Sequence, residues 1–462
     1  MARAYPSQFG RLRREWGPVY SAFLPYIVLI FVGAVFLSTP FVTQSGRPLP
    51  FIDALFTSTS ALCVTGLVVV DTGSTFNWAG EAFIALLIQV GGLGYMTLSA
   101  ALILLVRRSL DLRTREGVRE TLGAFTMADV IPILKRAVAF TAAVEFAGFL
   151  LFLPSFSARV PFWQAVKFSL FHSISAFCNA GFDLFGEKFE PFCSMRPLSH
   201  DPWICAVTMV LVISGGLGFI VVSDLWTKRR WRRLSFHSKV VLSSTAALLL
   251  LSWGLFLLFE WENPSTLGRM GVGGKLLNAL FQAVTPRTAG FSTIPTGMLT
   301  PPSLLLCLLL MFVGASPGGT GGGIKTTTSV VLLLSFWASI RGEEEPGLYG
   351  RSIGALTVRR AMAVAFFGLL VVLGCLLVLS LSLPQPCHEK FPFLAMLFEA
   401  TSAFGTVGLS MGATSHLTFP AKVAIIVTML LGRLGPATLA TVVALRQRPP
   451  RVRYPSEPVA IG

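Results

Sequence analysis

Eight long apolar runs divide this chain, at about residues 20–40, 79–106, 137–154, 203–226, 239–261, 301–337, 361–383 and 418–445. A helix that crosses a bilayer needs about 20 predominantly apolar residues, so the runs are read as eight spans. They fall into four pairs. Within each pair lies a short segment of about 10–12 residues ending in glycine. Such a segment is too short to cross and fits a re-entrant half-helix followed by a loop. The pattern predicts an all-α polytopic membrane protein with four M1–pore loop–M2 repeats in one chain, arranged around a pseudo-fourfold pore.

The short segments repeat in sequence as well as in length. They run from Phe56 to Gly66, Phe171 to Gly181, Phe281 to Gly290 and Phe398 to Gly408, and each glycine is followed by Leu or Phe. Ser60-Ala61, Ser175-Ala176 and Ser402-Ala403 share one offset; the third segment, one residue shorter, has Thr285-Pro286 there. The glycines stand 115, 109 and 118 residues apart. Short helices are expected to end at Ala61, Ala176, Thr285 and Ala403. The repeats divide the chain into a tail at 1–19, repeat one at 20–106, a basic linker with repeat two at 107–226, repeat three at 227–340, repeat four at 341–445 and a tail at 446–462.

Backbone that is neither helix nor closed barrel is tolerated at membrane depth only where it is buried in protein or lines a cavity. Four such loops around one axis could present a ring of carbonyls, which replaces the hydration shell of a cation such as K⁺. Glycine suits this because it adopts φ > 0 freely. The expected filter comprises Val64, Thr65 and Gly66; Asn179, Ala180 and Gly181; Thr288, Ala289 and Gly290; Thr406, Val407 and Gly408. The carboxyl ends of the half-helices would add partial negative charge toward the axis. Asp53, Asp71, Asp183, Glu187, Glu190 and Glu389 flank the segments, and Asp183, two positions past Gly181, is the foremost candidate to concentrate cations there.

Repeat three departs from the others in its second span. Where the others keep Gly92-Leu93-Gly94, Gly216-Leu217-Gly218 and Gly432-Arg433-Leu434-Gly435, residues 314–326 contain Gly314, Ser316, Pro317, Gly318, Gly319, Gly321, Gly322, Gly323 and Lys325. Such a stretch cannot remain helical. It is expected to open into a loop just cytoplasmic of the filter and to act as a gate, with Lys325 as an electrostatic barrier and Arg433 packed against it. Ionisable residues at membrane depth are functional candidates by default. Arg287, inside the third segment, is read as fixing its half-helix. Two other motifs overlap here. Gly314-Ala-Ser316-Pro-Gly318 matches the nucleophile elbow of a serine hydrolase, but none of the five histidines lies near it in the chain. A phosphate-binding loop would need Gly before Lys325, and Ile324 stands there.

Composition agrees with a bilayer protein: 53% of the 462 residues are hydrophobic and 13% are charged, about half the charge of a soluble domain. The net charge of +15 raises the question of nucleic acid. Its distribution assigns it instead to topology and lipid headgroups. Loops at 1–19, 107–136, 228–239, 341–360 and 446–462 hold 25 of the 37 Lys and Arg. That side is read as cytoplasmic, with both termini on it. The first run lacks a cleavage site and is expected to be a retained span. Seven cysteines without C-x-x-C spacing argue against a zinc site or disulfide framework. Whether Cys193 and Cys387 pair stays open.

The four repeats, with Val64-Thr65-Gly66, Cys178-Asn179-Ala180-Gly181-Phe182-Asp183, Thr285-Pro286-Arg287-Thr288-Ala289-Gly290-Phe291 and Thr406-Val407-Gly408, resemble the Trk/Ktr/HKT superfamily of cation transporters over about residues 20–445. Lacking two extra N-terminal spans, the chain looks most like the bacterial Ktr-type membrane subunit. The resemblance implies K⁺ uptake, since all four filter glycines are present. It also implies that 314–326 is the gating loop faced by Arg433, that the protein is a homodimer in a prokaryotic cell membrane, and that it partners a cytoplasmic nucleotide-binding ring of RCK type. Na⁺ as an activator is compatible with it; no organic cofactor and no catalysis are implied. The alternatives are a sodium-conducting or sodium-coupled transporter and, from a different class, an intramembrane serine hydrolase using Ser316.

Overall fold

The computed structural model describes residues 24–94, 130–382 and 392–445. Both tails, the linker at 107–129, the end of the second apolar run, Cys387 and Glu389 lie outside the described residues. In repeat one, α1 (Leu24–Leu37), the half-helix α2 (Phe51–Leu62) and α3 (Trp78–Leu93) follow one another. Repeat two supplies α4 (Val130–Ser157), the half-helix α5 (Phe162–Cys178), α6 (Pro202–Gly216) and α7 (Phe219–Lys228). In repeat three α8 (Phe236–Glu260), the half-helix α9 (Val272–Val284), α10 (Pro301–Val313) and α11 (Thr326–Arg341) appear. A two-residue hairpin pairs Gly347 with Ser352 and Leu348 with Arg351. Repeat four has α12 (Ala355–Ser382), the half-helix α13 (Phe393–Gly405) and α14 (Phe419–Leu445).

Local chemistry sets the helix starts. The Asp201 carboxylate accepts from the amides of Trp203 and Ile204 at 2.9 and 3.1 Å, with Pro202 in the first helical position of α6. Asn77 does the same for α3, accepting from Ala79 and Gly80. An N-cap side chain satisfies amides that have no partner inside the helix. The expected half-helix ends hold to within one or two residues: α2 ends at Leu62, α5 at Cys178, α9 at Val284 and α13 at Gly405.

Polar side chains are buried at the half-helices, among an apolar core, while large apolar side chains cover the outside of the long helices. Ser58, Ser60, Ser173, Ser175, Thr285 and Ser402 of the half-helices and the turns that end them are fully or almost fully buried. Leu250, Leu258, Phe366 and Leu381 of the long helices face outward. A broad apolar outer surface is unusual for a water-soluble fold, and buried hydrogen-bonding groups behind an apolar exterior suit a bilayer. Among the described residues, three helices are long and apolar enough to cross a membrane: α4 from Ile131, α8 and α12. The pair α6–α7 passes the same test jointly but bends by 95°. Reading 203–226 as one straight span is therefore corrected. The bend occurs where Gly218 takes φ of +91°, and its missing side chain leaves room for the carbonyl of Pro317. The Phe219 amide then donates to Gly318 O at 3.0 Å.

Packing joins the repeats in a cycle. Helix α3 of repeat one packs on half-helix α5 of repeat two, α6 on α9, α10 on α13, and α14 of repeat four returns to α2 of repeat one. Each half-helix is held by its own repeat and by the last span of the preceding one.

Candidate functional site

The segments that follow the four half-helices share one backbone plan. The amides of Thr65, Ala180 and Val407 donate to the carbonyls of Ser60, Ser175 and Ser402 at 2.8–2.9 Å, and in the shorter third segment Ala289 donates to Thr285 at 3.0 Å. The hydroxyls at that offset brace the loop from within. Ser60 and Ser402 accept from the amides of Gly66 and Gly408 at 3.1 and 3.2 Å, whereas Ser175 and Thr285 donate to the carbonyls of Phe182 and Phe291 at 2.6 and 2.5 Å. The repeated Ser-Ala pairs were visible in the sequence; their bracing role was not.

Two residues before each glycine the backbone is left-handed: φ is +56° at Val64, +60° at Asn179, +70° at Thr288 and +48° at Thr406. Asn tolerates this region, but β-branched residues there are outliers that cost about 1–3 kcal/mol each. Strain of this kind persists only when surrounding structure over-determines it. Periodicity gave no hint of it, because side-chain pattern does not report φ at a single loop residue.

The four glycines meet. A Cβ added to Gly66 would lie 2.9 Å from Gly181 Cα; one on Gly181 would lie 3.0 Å from Gly290 Cα; one on Gly290, 3.3 Å from Gly408 Cα; and one on Gly408, 3.0 Å from Gly66 Cα. Contacts run once around and close on themselves. Each added Cβ would also crowd a carbonyl of a neighbouring segment, from Ala180, Ala289, Val407 and Thr65 in turn. The predicted filter residues are thus brought together backbone to backbone. Thr65 Oγ1 and Thr406 Oγ1 are buried with no hydrogen-bond partner among the described residues, and the Asn179 amide stands 3.3 Å from Thr288 Oγ1.

Residues 314–325 separate α10 from α11 and form an irregular loop against these segments. Gly321 and Gly322 press on the hydroxyls of Thr288 and Thr406, and Gly323 sits against Gly405, where an added Cβ would be 3.2 Å from its Cα. Ser316 and Thr320 donate their amides to Gly216 O and Gly215 O, both at 3.1 Å. The Arg433 guanidinium bridges two elements, donating through Nη1 to Thr320 O and through Nη2 to Gly91 O. Lys325 Nζ donates to Gly321 O at 2.6 Å and approaches Gly322 O at 3.5 Å. The side chain expected to act as an electrostatic barrier is therefore engaged in holding the loop's own backbone. Ser316 is buried, and its Oγ accepts from Thr326 Oγ1 at 3.1 Å. Arg287 is buried, with Nη2 3.4 Å from Thr245 Oγ1.

Glycines of the last spans lie against the ends of the half-helices. Gly91, Gly215 and Gly432 sit on the carbonyls of Leu62, Phe177 and Phe404. In repeats one and two the glycine on the half-helix carbonyl stands one residue before the Gly-Leu-Gly, and Gly92 of that motif packs on Cys178. Behind the second segment, Cys178 Sγ lies 3.7 Å from both Gln89 Oε1 and Glu145 Oε1, and Gln89 Nε2 donates to Glu145 Oε2 at 3.1 Å.

Several flanking acids have structural partners. Asp53 pairs with Lys422 at 2.5 Å, and Lys167 Nζ meets Glu81 at 3.0 Å and Glu187 at 2.5 Å. Asp71 accepts from the amides of Ser74 and Phe192. Cys193 has no disulfide partner among the described residues. Two buried glutamates absent from the predicted set anchor the loops beyond the glycines. Glu399 accepts from Ser410 Oγ at 2.6 Å, Met411 N at 3.1 Å and Thr414 Oγ1 at 2.6 Å. Glu260 accepts from Thr266, Asn263 and both donors of Thr300. Glu399→Ala is expected to lower stability by about 3 kcal/mol, since it strands three donors. Thermal unfolding in detergent measures this. Glu399→Gln, which keeps one acceptor oxygen and turns the other into a donor, should recover part of the loss; equal melting of all three proteins would remove Glu399 as an anchor.

Lipid-facing helices, interior half-helices and a glycine ring define a polytopic membrane protein built for small-solute passage rather than for covalent chemistry. The TrkH family model, described as a cation transport protein, matches residues 25–449, and the chain belongs to that family of transporters, not to an enzyme family. The chain is 39% identical over 443 residues to the "Ktr system potassium uptake protein B" of Vibrio alginolyticus, covering 95% of this chain and 94% of the relative. Its Bacillus subtilis namesake is 38% identical, with 95% of each covered. The "Potassium/sodium uptake protein NtpJ" of Enterococcus hirae is 36% identical, covering 98% and 99%. The crystal structure of the potassium transporter TrkH from Vibrio parahaemolyticus superposes with a TM-score of 0.69 over 97% of this chain and 87% of that one, at 19% identity, a likeness of fold.

Proposed function

We propose that this protein carries K⁺ across the cell membrane of a prokaryote, through a pseudo-fourfold pore made of eight spans and four re-entrant segments. The observation that carries the reading is the closed ring of Gly66, Gly181, Gly290 and Gly408. The names of its relatives favour the same ion. In this reading K⁺ sheds water against the carbonyls of the twelve filter residues and passes loop 314–326 when that loop withdraws. It enters the cell under a potential worth about 2.3 kcal/mol per charge per 100 mV. The basic loops face the cytoplasm with both termini, the protein pairs as a homodimer, and an RCK-type nucleotide-binding ring docks on the basic side. Na⁺ is an activator or a competing ion in this scheme. The repeat boundaries set out above delimit the functional units.

The test is cation flux into liposomes that hold the purified protein, comparing K⁺ with Na⁺. Strong preference for K⁺ supports the filter. Equal fluxes favour the sodium-conducting alternative, to which the name of the Enterococcus hirae relative lends weight. Ser316→Ala separates transport from hydrolysis: the variant should conduct within about two-fold of the native chain, because Ser316 only accepts a neutral hydrogen bond from Thr326. Abolished conduction would give Ser316 a role this scheme lacks.

Asp183 supplies a pH test. Burial, and then the nearby Asp71 carboxylate, push its carboxyl up to about 7, against the pull of the Phe185 amide and Arg196. Its negative charge is therefore present above pH 7 and lost below it. If that charge concentrates cations at the entrance, uptake should fall as outer pH drops from 8 to 6, and Asp183→Asn should flatten that dependence. An unchanged profile in the variant would remove Asp183 from the entry path. In stability the sign is the opposite. The folded chain holds a proton that the unfolded chain releases near pH 4, so this group costs stability as pH rises from about 4 to 7.

A further inference from the structure

Between α10, α11 and α12 lies an open apolar groove of about 640 Å³, lined by Phe312, Leu332, Met362, Ala363, Phe366 and Leu369, among others. That is within the range of about 300–1,000 Å³ typical of ligand sites. Its floor lies against half-helix α13, just before the fourth filter segment, and against the glycine loop. The Phe312 ring stands 5.9 Å from that of Phe404, and Gly368 of α12 packs on Phe404 and Ile324. Phe312 immediately precedes the end of α10, beyond which the glycine loop begins.

At one end the groove becomes basic. On a helix, residues three and four apart share a face, so Arg359 lies one turn from Met362 and Ala363, and Arg360 one turn from Ala363. The offset along the axis is about 4.5 Å. Arg360 Nε is buried without a hydrogen-bond partner among the described residues, and neither arginine makes an ion pair among them. Arg341, at the same end of the neighbouring helix, stacks on Trp337 at 5.2 Å. Glu343, Glu344 and Glu345 follow α11 at that end. An apolar trough opening to the lipid-facing surface and ending in guanidinium groups has the charge and shape complement of one molecule class, an acyl chain bearing a phosphate.

We propose that this groove binds an anionic membrane phospholipid, with an acyl chain along Met362, Phe366 and Leu369 and the phosphate against Arg359 and Arg360. Guanidinium forks match phosphate oxygens bidentately. An occupant would press on Phe312 at the start of the glycine loop; that consequence rests on the filter reading, whereas the binding does not.

The test is native mass spectrometry of the purified full chain titrated with phosphatidylglycerol or phosphatidylcholine. The native chain should bind phosphatidylglycerol about ten-fold more tightly. Arg359→Gln/Arg360→Gln should erase that preference while leaving residual binding of both lipids. Ala363→Phe, which fills the trough, should lower binding of both. Equal affinity for the two lipids in the native chain would overturn the proposal, as would an unchanged preference in the double variant. If Ala363→Phe instead changes the oligomeric mass, the groove is an interface between copies and the lipid assignment is wrong. Because the readout is bound lipid, failure of the filter reading would appear in flux alone.

Discussion

Gly290→Ser is expected to reduce the preference for K⁺ over Na⁺ by ten-fold or more in liposome flux. Gly290 takes φ of +80°, and a Cβ there would collide with Val407 O and stand 3.0 Å from Gly181 Cα. Left-handed backbone at a non-glycine residue costs about 1–3 kcal/mol, and about 1.4 kcal/mol is ten-fold in an equilibrium. Backbone can give only by displacing the carbonyls it borders, and these are the groups that would coordinate the ion. Gly271→Ser is the control. Gly271 precedes α9 in extended backbone with open space around it, and serine is a good N-cap. That variant should keep the native preference. If both variants retain it, the glycine ring is not the filter.

Arg433→Gln is the second large effect. Its guanidinium ties the glycine loop at Thr320 to the last span of repeat one at Gly91. Hydrogen bonds from a charged donor are worth about 1.5–3 kcal/mol each, so losing two removes about 3 kcal/mol or more from the loop's present position. A latch weakened by that much shifts a closed-to-open equilibrium by about a hundred-fold, and K⁺ flux should rise steeply before it saturates. Unchanged flux in a variant that elutes and melts like the native protein would mean that Arg433 holds structure without latching a gate. A fall in flux with normal melting would mean that the loop's present position is the conducting one.

Much of this was legible from the chain. The eight runs and four glycine-tipped segments located the half-helices to within a residue or two, because bilayer thickness fixes how long an apolar run must be and a shorter one cannot cross. The break at 314–325 was equally plain, since that much glycine beside a proline cannot stay helical. Arg433 was expected against the loop and lies there.

Other features needed three dimensions. The left-handed conformations at Val64, Thr288 and Thr406 follow from loops forced into mutual contact, and no local propensity predicts a β-branched residue there. The 95° bend at Gly218 depends on the Pro317 carbonyl of another repeat. Lys325 binds the backbone of its own loop because that loop curls back to present Gly321 O. The donors that satisfy Glu260 and Glu399 come from loops folded onto them, which no local pattern announces. Sequence by itself located the apolar helices, the short half-helices and the point where the backbone must break, because these depend on hydrophobic length and on the dihedral limits of single residues. Only the tertiary structure decided which carbonyl meets which glycine and which charge is satisfied, because those contacts join positions about a hundred residues apart through packing that no local pattern encodes.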